Sequence, residues 1–228
     1  MNIQIHESAR NISDDAAAGA AVYSNFLLSF YDTEVLRFEL PYIFKCPLRV
    51  IKDFFQKNVT GNHLDVGVGT GYFLDKCEFP VETPTVHLMD LNMNSLQKTS
   101  KRIKRYNPVS HQCDVLEPIQ KVLPMFDSIG AMNFLHCLPG DMLSKQEVIN
   151  NLVPFLNKGG VFFGVTILGE GVDAGLLYRM ANAIYNKKSI FCNSHDNLFD
   201  LESILRNSFE GVSVKVIGSV ALFSGQNK

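Results

Sequence analysis

The strongest constraint on this chain is the stretch Leu64-Asp65-Val66-Gly67-Val68-Gly69-Thr70-Gly71, which ends an apolar run and opens onto a helix-forming one. Glycines at every second position let the backbone turn tightly and let a ligand approach it closely. A strand entering and a helix leaving such a loop form the start of a βαβ unit. The first N–H groups of that helix point above the loop, where a carboxylate or phosphate is stabilised. The dinucleotide fingerprint is G-x-G-x-x-G. Here the third glycine comes one place early, Tyr72 fills the usual third-glycine site, and Asp65 stands two positions before Gly67.

The rest of the chain repeats the strand-then-helix alternation. Strands are expected at 63–66, 85–89, 110–113, 128–132 and 161–166, with helices near 72–77 and from Asn92, a suitable N-cap, to about Tyr106. Ser144-Lys145-Gln146-Glu147 reads as a capping box for a helix ending near Leu156, with Gly159-Gly160 as stop signals. An inserted helix, about 174–185 within an insertion at 169–193, carries Leu176, Leu177, Met180, Ala181 and Ile184 at helical spacing, which predicts a buried face. A helix at 198–209 leads into two β runs, 213–217 and 220–224, with Gly218-Ser219 between them as a hairpin turn. Alternation of this kind predicts a parallel sheet covered by helices on both faces, with ligands beyond the carboxyl ends of its strands. Residues 1–55, rich in aromatic residues and punctuated by Pro41 and Pro47, are expected to form an N-terminal helical cap on a core of residues 56–228.

Composition narrows the function classes. The formal charge of −2 provides no field for nucleic acid or an anionic membrane. Lys98, Lys101, Arg102, Lys104 and Arg105 cluster on the second core helix, where a solvated face is the ordinary reading. The five cysteines are odd in number and form no C-x-x-C pair, so neither a disulfide framework nor a metal site is expected, and the compartment is expected to be the cytoplasm. The N-terminus lacks the apolar core of a signal peptide, and the apolar run at 161–168 is too short to span a bilayer.

Asp90 lies 23 residues beyond Gly67, where an acid can accept both ribose hydroxyls of an adenosine. Its alternative is a plain cap on the following helix. The loop spacing, Asp90, Cys113-Asp114-Val115, Phe126-Asp127-Ser128-Ile129 and Lys158-Gly159-Gly160 together resemble the class I S-adenosylmethionine-dependent methyltransferases over about residues 61–223. More narrowly, Tyr31-Asp32, Cys46-Pro47, Gly61-Asn62-His63-Leu64-Asp65 and Leu135-His136-Cys137-Leu138-Pro139-Gly140 are similar to short microbial methyltransferases of secondary metabolism. The resemblance implies a Rossmann-like seven-stranded sheet, mostly parallel, with an antiparallel last strand.

It also implies S-adenosyl-L-methionine as cofactor and a small acceptor methylated at oxygen, nitrogen or carbon, and the added segments suggest an apolar or aromatic one. Asp65, Gly67, Thr70 and Gly71 would form the cofactor loop, and Leu91 would lie beside the adenine. Asp114 and Val115 would read the adenine edge, Asn133 would border the methionine end, and Tyr31 would close over the cofactor. His136 is the candidate general base; its alternative is a histidine that only bonds the backbone. Tyr178, Tyr185 and Phe191 could line the acceptor pocket or pack the core. No nucleic acid or membrane partner is expected, and a homodimer remains open. The rival readings are an NAD(P)-dependent oxidoreductase, a non-catalytic cofactor-binding protein and an RNA or protein methyltransferase, the last opposed by Asn133-Phe134-Leu135-His136 where a base-methylation motif would stand.

Overall fold

A computed structural model describes residues 35–120, 122–173 and 175–228. The chain enters through a π-helical segment, Val35–Ile43, and a helix, α1 (Leu48–Asn58). There follow β1 (Asn62–Val66), α2 (Tyr72–Lys76), β2 (Thr85–Asp90), α3 (Met93–Arg102), β3 (Val109–Gln112) and β4 (Phe126–Met132). The second half holds α4 (Gln146–Leu152), β5 (Leu156–Ile167), α5 (Leu176–Lys187), α6 (Leu198–Ser208), β6 (Phe209–Ile217) and β7 (Val220–Asn227). The strands form one sheet in the order β3-β2-β1-β4-β5-β7-β6. The first five are parallel, and β7 runs antiparallel between β5 and β6. This is the Rossmann-like sheet that the sequence predicts. Strand order reverses between β1 and β4, which opens a crevice at their carboxyl ends.

Period-two alternation sends each strand's side chains into two separate cores. On one face, Val86, Leu88, Phe163 and Val165 pack with Ile51 and Phe55 of α1, Leu74 of α2 and Leu96 of α3. On the other, Leu64, Val66, Met89 and Phe162 pack with Val148 and Ile149 of α4 and Leu201 and Leu205 of α6. The described part of the expected cap belongs to this architecture. Leu40 and Phe44 are buried in the first core, Phe44 O accepts from Ser219 N at 3.0 Å, and residue 55 lies inside α1. Tyr31 and the rest of residues 1–34 lie outside the described residues.

Three local expectations are corrected. Ser144 caps nothing: α4 starts at Gln146, and the Ser144 hydroxyl donates to Asp141 O at 2.7 Å while its N–H meets Asp141 Oδ1 at 2.9 Å. A turn held by the Asp141 side chain and carbonyl has taken the place of the capping box. Gly159-Gly160 do not lie beyond a helix end; they lie within β5, which begins at Leu156. The apolar stripe of α5 is turned outward, with Leu176 73% and Leu177 68% exposed, while Tyr178 and Asn182 face inward. Helical spacing marks a common face but cannot say which face has a neighbour.

Candidate functional site

The crevice is lined by residues 65–73, 89–92, 113–116, 132–134 and 137–139, with Ser95 and Ile190. These are the segments that follow β1, β2, β3 and β4, brought together because the strands are parallel and in register. Asp65, Gly67, Thr70, Gly71, Asp90, Leu91, Asp114, Val115 and Asn133 all line it.

The loop after β1 needs its first glycine for two reasons. Gly67 has φ +67°, and a Cβ there would stand 2.1 Å from the Phe134 ring. Gly71, at φ +69°, opens α2. That helix has only five residues, too short for the dipole that the sequence suggests as an anion trap. Thr70 is buried and braced: the Arg102 guanidinium donates to its carbonyl at 3.1 Å and its hydroxyl at 3.3 Å. Arg102 also reaches Asp75 Oδ2 at 3.3 Å, and Arg105 reaches Asp75 Oδ1 at 2.8 Å. Burial works against the Asp75 charge, but hydrogen bonds from Arg105, Lys76 and Arg102 hold its carboxyl down to about 2. Two members of the basic cluster therefore support the loop rather than solvent alone.

Three carboxylates define the polar side. Asp90 Oδ1 accepts from Asn92 N at 2.8 Å, and the backbone N–H groups of Gly69 and Val68 also reach the carboxylate. Burial pushes the Asp90 carboxyl up to about 6, against those bonds. The helix-cap alternative falls to Asn92, whose side chain accepts from Asn94 N at 2.9 Å at the start of α3. Asp114 Oδ1 accepts from Leu116 N at 3.0 Å in an Asx turn, with Val115 buried beside it. Burial raises the Asp65 carboxyl, which His63 partly offsets. Asn133 adopts φ +52°, and its buried Oδ1 has no hydrogen-bond partner among the described residues. No Lys or Arg lines the crevice among the described residues.

The far side is apolar, formed by Tyr72, Phe73, Phe134, Leu138, Pro139 and Ile190. Sequence reasoning missed most of these, because no spacing rule links Phe134 to Ile190. His136 does not join the lining. It is buried, its Nδ1 accepts from Ile167 N at 3.2 Å, and its ring meets Phe191 edge-on at 4.6 Å. Burial, with Lys145 nearby, drives the imidazole down to about 3. An acceptor Nδ1 puts the ring proton on Nε2, leaving no lone pair for a general base to use. The geometry therefore favours the alternative reading of His136, a backbone-bonding histidine, over the general base.

Tyr178 and Tyr185 are also outside the lining; their hydroxyls donate to Leu168 O and to Glu39 Oε1. Phe191 packs against Phe44. His87 is satisfied by His111 at 2.8 Å, and His195 is exposed beside Glu170.

Residues 64–162 match the family described as a methyltransferase domain. The chain is 34% identical over 212 residues to demethylluteothin O-methyltransferase of Streptomyces thioluteus, covering 93% of this chain and 92% of the relative. It is 35% identical over 211 residues to the physcion biosynthesis cluster O-methyltransferase of Aspergillus chevalieri, covering 90% and 93%. Among solved structures it is similar to an O-methyltransferase (NcsB1) from neocarzinostatin biosynthesis, solved with S-adenosylmethionine and 2-hydroxy-5-methyl naphthoic acid. The TM-score is 0.60 at 16% identity, covering 90% of this chain and 59% of that longer one, so the likeness concerns the fold. With relatives of this identity matched along nearly their whole length, the chain belongs to the class I methyltransferases, in the group of short enzymes associated with secondary metabolism.

Proposed function

We propose that this methyltransferase uses S-adenosyl-L-methionine to methylate a small apolar or aromatic acceptor. The observation that carries the cofactor is charge: Asp65, Asp90 and Asp114 line the crevice with no Lys or Arg beside them among the described residues. That lining repels the pyrophosphate of a dinucleotide and suits a ligand carrying a sulfonium and an ammonium. The rival NAD(P) reading loses support on the same ground.

The residues present fit the cofactor group by group. Asp90 would accept from the two ribose hydroxyls, with Leu91 against the adenine. Asp114 accepts from the exocyclic amine, next to the Val115 backbone. Asp65 receives the ammonium, and the unpartnered Asn133 Oδ1 offers a further acceptor at the methionine end. Gly67 and Gly71, with φ +67° and +69°, give the loop its turn and leave room for Phe134 and Thr99 to pack against it. Tyr31, which lies outside the described residues, belongs to this proposal as a group that would close over the cofactor.

When bound, S-adenosylmethionine supplies an already activated methyl group. The chain's own task is then to position the acceptor and exclude water. Orientation of this kind is worth roughly 7–11 kcal/mol of barrier. Phe134, Leu138, Pro139 and Ile190 form the apolar wall against which a planar acceptor would rest. His136 anchors that wall: its carbonyl accepts from Cys192 N at 2.8 Å, and its ring holds the end of β5.

Calorimetry with S-adenosylhomocysteine and NAD, followed by labelled methyl transfer into a panel of hydroxylated aromatic acids and phenols, tests the reading. Tight binding of the first ligand alone and label in an aromatic acceptor are expected. Binding of NAD in preference would overturn the cofactor; label confined to protein or RNA would overturn the acceptor class.

A further inference from the structure

Behind Asp65, away from the crevice, a polar chain runs through the first core. His63 and Asp65 share one face of β1 and lie opposite Ser128 and Gly130 of β4 in the parallel register. His63 Nδ1 is 2.8 Å from Ser128 Oγ. Ser128 Oγ in turn accepts from Thr60 N at 3.1 Å and lies 2.8 Å from Thr60 Oγ1, whose hydroxyl also meets Asn62 O at 3.0 Å. His63 is fully buried among Phe55, Phe79 and Phe163. Its Nε2 faces Asp65 Oδ1 at 3.7 Å and has no hydrogen-bond partner. Gly130 leaves the room for this pair: a Cβ there would stand 3.0 Å from His63 Cε1 and 3.3 Å from Asp65 Oδ1.

A polar ring fully enclosed by aromatic side chains is costly unless its hydrogen bonds are made. Here one nitrogen is bound and the other is aimed at a carboxylate that lines the cofactor crevice. We infer that His63 is a positioning residue for cofactor capture: held by Ser128 and Thr60, it keeps the Asp65 carboxylate charged and turned toward the crevice before the ligand's ammonium arrives. This rests on the assignment of Asp65 to that ammonium.

The chain of donors has one consistent direction for this role. Thr60 gives its hydroxyl proton to Asn62 O, so Ser128 donates to Thr60 Oγ1 and accepts from His63 Nδ1–H; a ring that carries a second proton, on Nε2, points it at Asp65. Among the described residues, the Asp65 charge acts in turn on two other titratable groups, Asp90 on β2 and Cys77 after α2. Burial pushes the Cys77 thiol up to about 12, so it stays neutral, and Asp90 opposes a second charge. His63 is thus the group that favours ionised Asp65, and without it the carboxyl should hold its proton to higher pH.

The test compares two probes by calorimetry: S-adenosylhomocysteine, which carries the ammonium, and methylthioadenosine, which lacks it. His63→Leu should weaken the first at least tenfold at pH 7 and change the second less than twofold. It should also move the pH at which S-adenosylhomocysteine binding is half lost upward by about one unit, because a tenfold change corresponds to one unit. His63→Gln, which can again present an N–H near Asp65, should recover most of the loss. Ser128→Ala, which leaves the ring in place, should show a smaller loss with the same selectivity and guards against misfolding of the first variant. Equal loss of both probes, or no loss of either, would overturn the role of His63. Unchanged S-adenosylhomocysteine affinity in Asp65→Asn would instead overturn the ammonium assignment, and the inference with it.

Discussion

The two halves of the crevice are built on different principles. On the β1–β3 side, short chain segments each bring one acid to a strand end: Asp65, Asp90 and Asp114. On the β4–β5 side, residues distant in the chain make an apolar wall, and its polar groups are bound inward. His136 is tied to Ile167, and Lys145 forms a fully buried pair with Asp196 at 2.6 Å. The polar half holds carboxylates left available to a ligand, whereas His136 and Lys145 on the apolar half are bound within the protein and Asn133 Oδ1 stays unpartnered beside them among the described residues. On the proposed assignment, cofactor recognition would rest on these local motifs. Acceptor recognition would depend on packing that can change without disturbing them.

Mutation on the apolar side should act on stability. Lys145→Met leaves the Asp196 carboxylate buried without its cation and should cost about 3–5 kcal/mol in urea unfolding. Cofactor affinity measured well below the melting temperature should change little; a large loss there would erase the contrast between the halves. On the polar side, Asp90→Ala should weaken S-adenosylhomocysteine at least a hundredfold, about 2.7 kcal/mol by calorimetry, with the fold retained. Unchanged affinity would remove the ribose assignment.

The same contrast has a pH signature. An ionised Asp90 is needed to accept two hydroxyls, and its carboxyl lies at about 6 in the folded protein. Affinity should fall as pH drops through about 6, and Asp90→Asn should flatten that slope. On the other side, His136 stays neutral down to about pH 3 when folded, while its ordinary value is 6.5. The unfolded chain then binds the extra proton, so stability should decline as pH falls below 6.5. His136→Gln should remove that part of the decline. Its effect on turnover should be less than about threefold; a loss of the 10²–10⁴ typical of a removed general base would restore the catalytic role. Smallest of all, Asn92→Ala removes the N-cap of α3 and should cost about 1 kcal/mol.

What could be read in advance follows the same divide. The places of Gly67, Gly71, Asp90 and Asp114 in the crevice were legible because each is set locally: by a turn that favours glycine, or by an acid at or just past the end of a strand. The alternating pattern announced the sheet, because a parallel order needs a crossover helix between strands. The capping box at Ser144 misled because Asp141, three residues earlier, offered the backbone a competing turn. The stripe on α5 misled because Leu176 and Leu177 satisfy helical spacing while pointing outward.

By itself, then, the order of residues determined the strand–helix alternation, the glycine turn and the acids at the ends of β1 and β2 and just after β3, all of them consequences of bonding between near neighbours. Only the tertiary structure decided that His136 spends its lone pair on Ile167, that Phe134 closes over Gly67, and that Thr60, Ser128, His63 and Asp65 lie in one line. Those relations join residues from different strands, and their energies exist only once the sheet has brought the strands side by side.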